Sequence, residues 1–156
     1  ISYHSWREYK KYHGSYMETY KNKSYIKLED LEVYQLAREL SKVGWQIYEP
    51  LGWQTKKING DQFIESTDSV GANIAEGYGR FHYLDKIKFY YNARASLNEC
   101  NDYWIELLKE RNKAGEENYK EFKNISQKLL VKLNRLISAT FQNINRNKSA
   151  EGGRNK

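Results

Sequence analysis

One short stretch decides the fold of this chain: Ser69-Val70-Gly71-Ala72-Asn73-Ile74-Ala75-Glu76-Gly77-Tyr78-Gly79-Arg80. It places small residues, one amide, one carboxylate and several glycines at the end of a pattern with helical spacing. A helix that merely faces solvent has no use for so many poor helix formers. The mixture therefore indicates either close helix packing or a functional site.

Outward from this stretch, apolar residues recur at helical spacing in four segments. They predict helices over about 30–48, 61–76, 84–111 and 116–143. The chain has one proline, Pro50, and no run that alternates with a period of two, so strands are not expected. Short connections between the last three helices favour antiparallel neighbours. We expect an all-α protein with an up-down antiparallel four-helix bundle.

Individual residues predict how these helices begin, end and pack. Asp30 is suited to cap the first helix, and Gly44 within it indicates close approach by a neighbour. Residues 53–57 are expected to form a loop after Pro50. Gly77 is expected to adopt the left-handed conformation just past the second helix, where glycine is favoured.

Positive charge is concentrated at the two ends of the sequence. Residues 1–28 carry six basic residues against two acidic ones, and residues 143–156 carry four against one, out of a net charge of +6. Basic flanks attract polyanions by releasing counterions. The candidate nucleic-acid-binding residues are Arg7, Lys10, Lys11, Lys21, Lys23, Lys27, Arg146 and Lys148.

These features divide the chain into a Tyr/Lys-rich arm (1–28), a four-helix bundle (29–143) and a flexible basic tail (144–156). The tyrosines of the arm lie beside lysines, which suits stacking on nucleic-acid bases. Packing of the arm over the bundle or over a neighbouring subunit fits the same pattern equally well. A single cysteine and the lack of a long apolar run lead us to expect a cytoplasmic protein.

Polar residues near the opening stretch allow a structural and a catalytic interpretation. In the structural one, Asn73, Glu76 and Arg94 form a buried network that fixes helix register, and Glu76 and Glu99 do not act chemically. In the catalytic one, Glu76 and Glu99 form a carboxylate pair. We favour the structural interpretation, with the following helix-packing and assembly residues: Asn73, Glu76, Gly77, Gly79, Arg94, Ser96 and Glu99.

Other chemistry has little support in the sequence. The three histidines do not have the spacing of a zinc site, so no metal or cofactor is expected. Cys100 lies inside a predicted helix and suits a core or interface position better than a nucleophile. Gly77-Tyr78-Gly79 follows a helix and lacks the lysine of a phosphate-binding loop. We expect no enzymatic activity.

Three motifs resemble those of bacterial four helix bundle proteins, also called ribosomal-RNA intervening-sequence proteins. They are Asp30-Leu31-Glu32-Val33-Tyr34-Gln35-Leu36-Ala37, then Asn73 to Arg80 of the opening stretch, then Ala93-Arg94-Ala95-Ser96-Leu97-Asn98-Glu99. The resemblance implies an up-down four-helix bundle that assembles into a ring-like homopentamer with a basic surface. A related branch serves as the accessory protein of diversity-generating retroelements, where it binds the reverse transcriptase and its RNA.

One departure from the family pattern bears on function. Gln62-Phe63-Ile64-Glu65 replaces a motif in which arginines follow the glutamine, and Asp68 adds another acid. Two hypotheses result. The first is a non-enzymatic homo-oligomeric scaffold, pentameric by resemblance, that binds nucleic acid, most simply RNA, through its basic flanks. The second is a protein-binding accessory subunit of a reverse transcriptase.

Overall fold

The protein, seen in a computed structural model that describes residues 26–152 and side chains up to residue 146, consists of helices. Four of them are long: α1 (Glu32–Tyr48), α2 (Asp61–Gly79), α3 (Tyr83–Glu99) and α4 (Glu116–Gly152). Shorter helical pieces flank them: Leu28–Asp30, Trp53–Thr55, Lys56–Gly60, Cys100–Trp104 and Ile105–Glu110. No strand occurs in the described part of the chain, which confirms the predicted all-α class.

The long helices form a square in which α1 and α3 each pack against both α2 and α4. Close contacts fix their directions. A Cβ on Gly71 of α2 would lie 3.5 Å from Ala37 of α1, and one on Gly44 would lie 2.9 Å from Thr67, so α1 and α2 are antiparallel. Short connections reverse the chain again before α3 and α4. The result is the up-down bundle that the sequence predicted.

The core runs along the centre of this square. Leu40, Phe63, Tyr90 and Phe122 are almost wholly buried there, one from each long helix. The rings of Phe63 and Phe122 have centroids 5.2 Å apart, which is a favourable separation for two aromatic side chains. The apolar stripes read from the sequence therefore face one another.

Two helix boundaries at the start of the bundle differ from the prediction. The residue that precedes α1 is Leu31 and not Asp30, which already lies in the 3-10 turn Leu28–Asp30. The expected loop at 53–57 is helical. Trp53–Thr55 continues through the π-helical turn Lys56–Gly60 into α2, so the helical path begins eight residues before α2 itself.

The structure also corrects the role expected of Gly77. It lies inside α2, and no glycine in the described part has a positive φ. The left-handed residue is Asn112, with φ 53°. Its N–H donates to the Lys109 carbonyl at 3.0 Å, and the Lys113 N–H donates to Leu108 at 2.8 Å. These two bonds are the Schellman pattern that ends a helix.

The fourth helix is longer than expected. It continues to Gly152 instead of stopping near residue 143, and Ile144 is buried in the bundle. The proposed tail therefore cannot begin at 144. The Tyr/Lys arm up to residue 25 and residues 153–156 lie outside the described residues. Across the described part, no helix combines the length and hydropathy required of a membrane span.

Candidate functional site

The opening stretch lies along α2 and presents two different faces. Val70, Gly71, Ile74 and Gly77 are buried in the bundle. At Gly77, an added Cβ would lie 2.7 Å from Cε1 of Tyr90 on α3, so only glycine permits this approach. The opposite face lines a shallow groove on the surface, formed by Ala72, Ala75, Glu76, Gly79 and Arg80. The small residues therefore serve packing on one face and leave a shallow groove on the other.

The polar network expected around Asn73, Glu76 and Arg94 does not form. Glu76 is exposed and pairs with Arg80 one turn later on the same helix. The Asn73 amide donates to the Ser69 carbonyl at 2.8 Å, also within α2. Arg94 reaches α4 instead, where it donates to Asn134 at 3.1 Å. Sequence spacing placed these residues on related faces but did not show which partner each side chain contacts.

Glu76 and Glu99 do not form a carboxylate pair. Glu76 precedes Gly77, which contacts Tyr90, whereas Glu99 lies nine residues beyond Tyr90 on α3. At the helical rise, that is roughly 14 Å along the axis. Glu99 instead accepts a hydrogen bond from the Trp104 indole at 2.8 Å. Ser96 is half-buried on the same helix, and within the described residues no three His, Cys, Asp or Glu side chains are grouped to hold a metal.

Cys100 is a core residue. It is fully buried and its thiol donates to the Leu97 carbonyl at 3.3 Å. Burial raises the pKa of the Cys100 thiol to about 12. Because the thiolate is the reactive form, this side chain is inert at neutral pH.

Only two of the candidate nucleic-acid-binding residues at the two ends of the chain have side chains that the structure describes. Lys27 is exposed and pairs with Glu29 at 3.6 Å, and Arg146 is exposed on α4. The remaining candidates lie outside the described residues or side chains: Arg7, Lys10, Lys11, Lys21, Lys23 and Lys148. Their role in binding stays a prediction.

A basic and aromatic surface that the sequence interpretation missed lies where α1 ends and α2 begins. It consists of Trp45, Tyr48, Trp53, Lys56 and Lys57, and is called here the aromatic–lysine cluster. The Trp45 and Tyr48 rings have centroids 5.2 Å apart. Lys56 Nζ lies 4.6 Å from the Tyr48 centroid, and Lys57 Nζ lies 5.2 Å from the Trp53 centroid. The spacing of four residues between Trp53 and Lys57 was the available signal, but it has meaning only if the segment is helical.

A second polar cluster joins α4 to the chain that follows α3. Glu106 accepts hydrogen bonds from Tyr119 at 3.0 Å and from Lys123 at 2.8 Å. Lys123 also donates to the Asn101 carbonyl at 2.8 Å, within the π-helical turn Cys100–Trp104. Burial raises the pKa of Glu106, but the hydrogen bonds from Lys123 and Tyr119 outweigh it and hold the pKa below its ordinary value. The cluster supports the bundle and has no free nucleophile.

Comparison with known proteins shows similarity to a protein family and to solved structures. Residues 29–135 match the family model described as 23S rRNA-intervening sequence protein. A crystal structure of a protein with unknown function from the S23 ribosomal protein family of Bacteroides thetaiotaomicron is similar, with 26% identity and a TM-score of 0.62. The similarity covers 67% of this chain and 97% of that one. No curated protein sequence matches the chain.

Proposed function

Because the chain belongs to the 23S rRNA-intervening sequence protein family, as its three motifs predicted, we propose that it is a non-enzymatic scaffold that binds nucleic acid. In this proposal several copies assemble, five by family resemblance, and RNA in the cytoplasm is the natural target. The family name supports RNA, and the basic flanks support binding to a polyanion. The separation of Glu76 from Glu99 removes the most plausible catalytic pair.

The uneven charge distribution is the observation that carries the proposal. The flanks at 1–28 and 143–156 hold all of the positive excess, while the bundle between them is nearly neutral. A charge pattern of this kind binds phosphates without reading bases, and its affinity falls steeply with salt. Arg146 is exposed on α4, so one of the candidate cations is accessible.

Assembly is supported by apolar side chains that the bundle leaves uncovered. Leu84 and Tyr91 lie seven residues apart on α3, hence on one face, and are 56% and 41% exposed. Phe81, in the connection just before α3, is 61% exposed. Burying this face against another copy removes apolar surface from water, which is the main source of association free energy.

The test compares RNA binding by the full chain with binding by a variant that lacks nine of the ten basic residues of the flanks. The variant lacks residues 1–25 and carries Arg146→Gln, Lys148→Gln, Arg154→Gln and Lys156→Gln. A deletion from residue 144 would be a poor choice, because Ile144 is buried. We expect the variant to lose most of its binding and most of its salt dependence. Equal binding by a variant that keeps its helicity would contradict the proposal.

A protein-binding role, as accessory subunit of a reverse transcriptase, is the second candidate. It is favoured by an acidic strip on α2, where Glu65 and Asp68 are exposed three residues apart. Glu76, which pairs with Arg80, is exposed eight residues further along the helix. Such a strip suits a basic protein partner and repels phosphates. Affinity purification from the native host with nuclease separates the two candidates. Retention of a polymerase after nuclease treatment favours the accessory role, whereas loss of every partner favours binding to nucleic acid.

A further inference from the structure

The aromatic–lysine cluster exposes more apolar surface than the bundle requires. Trp53 is 75% exposed, and Trp45, which contacts Tyr48, is 49% exposed. Ile58, in the same turn of chain, is 59% exposed. A tryptophan that contributes to a core is normally well buried. The Trp53 ring therefore contributes little to the core of the bundle.

The backbone beneath the cluster is unusual too. Lys56–Gly60 forms a π-helical turn, in which the Asp61 N–H donates to the Lys56 carbonyl five residues earlier. This turn buries Asn59, whose side-chain amide has no hydrogen-bond partner among the described residues. An unpaired buried amide costs stability, and π turns occur frequently at functional sites. The structure thus carries a local cost where the two lysines and Trp53 are displayed.

The charges of the cluster define what it can bind. Lys57 lies against Trp53, and Lys56 lies against Tyr48 and donates to the Glu49 carbonyl at 3.0 Å. The carboxylate of Asp61, at the start of α2, accepts a hydrogen bond from the Tyr48 hydroxyl at 2.7 Å. Flat rings with ammonium groups beside them match a ligand that combines flat aromatic bases with phosphates. Single-stranded nucleic acid has this composition.

We propose that the aromatic–lysine cluster is a stacking site for single-stranded nucleic acid, with a base on Trp53 and adjacent phosphates on Lys56 and Lys57. The inference rests on the proposed nucleic-acid function and adds a defined site to it. Binding here is tolerant of sequence, because every base offers a flat face to an indole ring. The basic flanks add affinity along the remainder of the strand.

The experiment measures fluorescence anisotropy of a labelled oligouridine of about 12 nucleotides. A second strand has the same number of phosphates but no bases. For the oligouridine, Trp53→Ala is expected to weaken binding by about fivefold or more, while Trp53→Phe retains most of the affinity. For the abasic strand, Trp53→Ala is expected to change nothing, because stacking requires a base.

The lysines are tested by the salt dependence of the same binding. The double variant Lys56→Gln and Lys57→Gln is expected to lower the slope of log affinity against log salt by about 1.4, whereas Trp53→Ala leaves the slope unchanged. Two matched controls lie elsewhere: Phe141→Ala removes an aromatic ring that is 50% exposed, and Lys88→Gln removes an exposed lysine on α3. Melting followed by circular dichroism verifies that each variant folds.

The outcomes separate this inference from the proposed function. If the unmodified protein binds neither strand, both fail. If it binds and Trp53→Ala binds oligouridine equally well, the stacking site is overturned, the nucleic-acid function stands, and the cluster is left to a protein partner. If Trp53→Ala loses affinity equally for the abasic strand, the effect is not stacking and the inference is also overturned.

Discussion

Gly77 shows most clearly how one residue sets the spacing of two helices. Its missing side chain allows α3 to approach, since a Cβ would lie 2.7 Å from Tyr90 and 3.0 Å from Cβ of Phe89. The second atom is bonded directly to the backbone and cannot swing away. We expect Gly77→Ala to lower the free energy of unfolding by about 1–3 kcal/mol, as overpacking does, in urea melts followed by circular dichroism.

Gly79 offers a control two residues away on the same helix. A Cβ there meets nothing within 4 Å. Alanine also favours the helix, so Gly79→Ala is expected to be neutral or to stabilise the protein by about 0.5–1 kcal/mol. Equal losses at the two positions would show that the close approach at Gly77 is not what makes glycine necessary.

At the same scale, the sequence predicted packing better than polar contacts. The approach at Gly44 was predicted correctly, because a glycine within a helical stripe costs stability that close packing against a neighbouring helix offsets. The partners of Glu76 and Arg94 were not predicted correctly, because a long, flexible side chain can turn toward its own helix or toward a neighbouring one. Arg94 reaches Asn134, forty residues away, and Glu76 stays on its own helix. Spacing along one helix gives no information on that choice.

At the scale of elements, the hydrogen bonds of Glu106 with Tyr119 and Lys123 connect α4 to the segment after α3. The stability of this connection depends on pH. Because the pKa of Glu106 is below its ordinary value of 4.5 in the folded protein, its ionised form stabilises the fold. That contribution is complete above the unfolded pKa and is lost as pH falls through the folded one. We expect thermal stability to fall on acidification below about pH 5, and to fall less in Glu106→Gln.

The substitution Glu106→Gln, which makes this side chain neutral, has a second expected effect. At pH 7, Glu106→Gln leaves the Lys123 ammonium without its charged partner, and we expect a loss of about 1 kcal/mol. Glu110→Gln, at an exposed position of the same helical piece, serves as control. A pH dependence in Glu106→Gln identical to that of the parent protein would show that other carboxylates account for the acid sensitivity.

The existence of the helices was predictable, but several of their ends were not. Four amphipathic stripes sufficed to predict α1 to α4. The π-helical turns Lys56–Gly60 and Cys100–Trp104 were missed, since a π turn shifts the apolar pattern by a fraction of a turn that a short segment cannot reveal. The residue with the left-handed conformation at a helix end is Asn112 and not a glycine, because asparagine also tolerates a positive φ.

At the scale of the whole molecule, fold and family followed from sequence, whereas the aromatic–lysine cluster required the structure. The three family motifs lie on or beside α1, α2 and α3, where packing constrains residue choice. The cluster combines the end of α1 with a stretch that was expected to be a loop. When the helical turn that brings residues together is not predicted, the sequence does not indicate that those residues form one cluster.

Assembly is the property of the whole molecule that is most directly testable. We expect light scattering to give a mass several times the 18.6 kDa of the chain, five times if the family resemblance holds. Leu84→Glu places a charge on the exposed apolar face of α3, and we expect it to reduce the mass toward that of one chain, because an unpaired charge is costly to bury. Ile58→Glu, at a site of similar exposure in the turn before α2, is expected to leave the mass unchanged. A parent protein that scatters as one chain, at both low and high salt, would rule out the scaffold while leaving the bundle and its nucleic-acid surface to be judged separately.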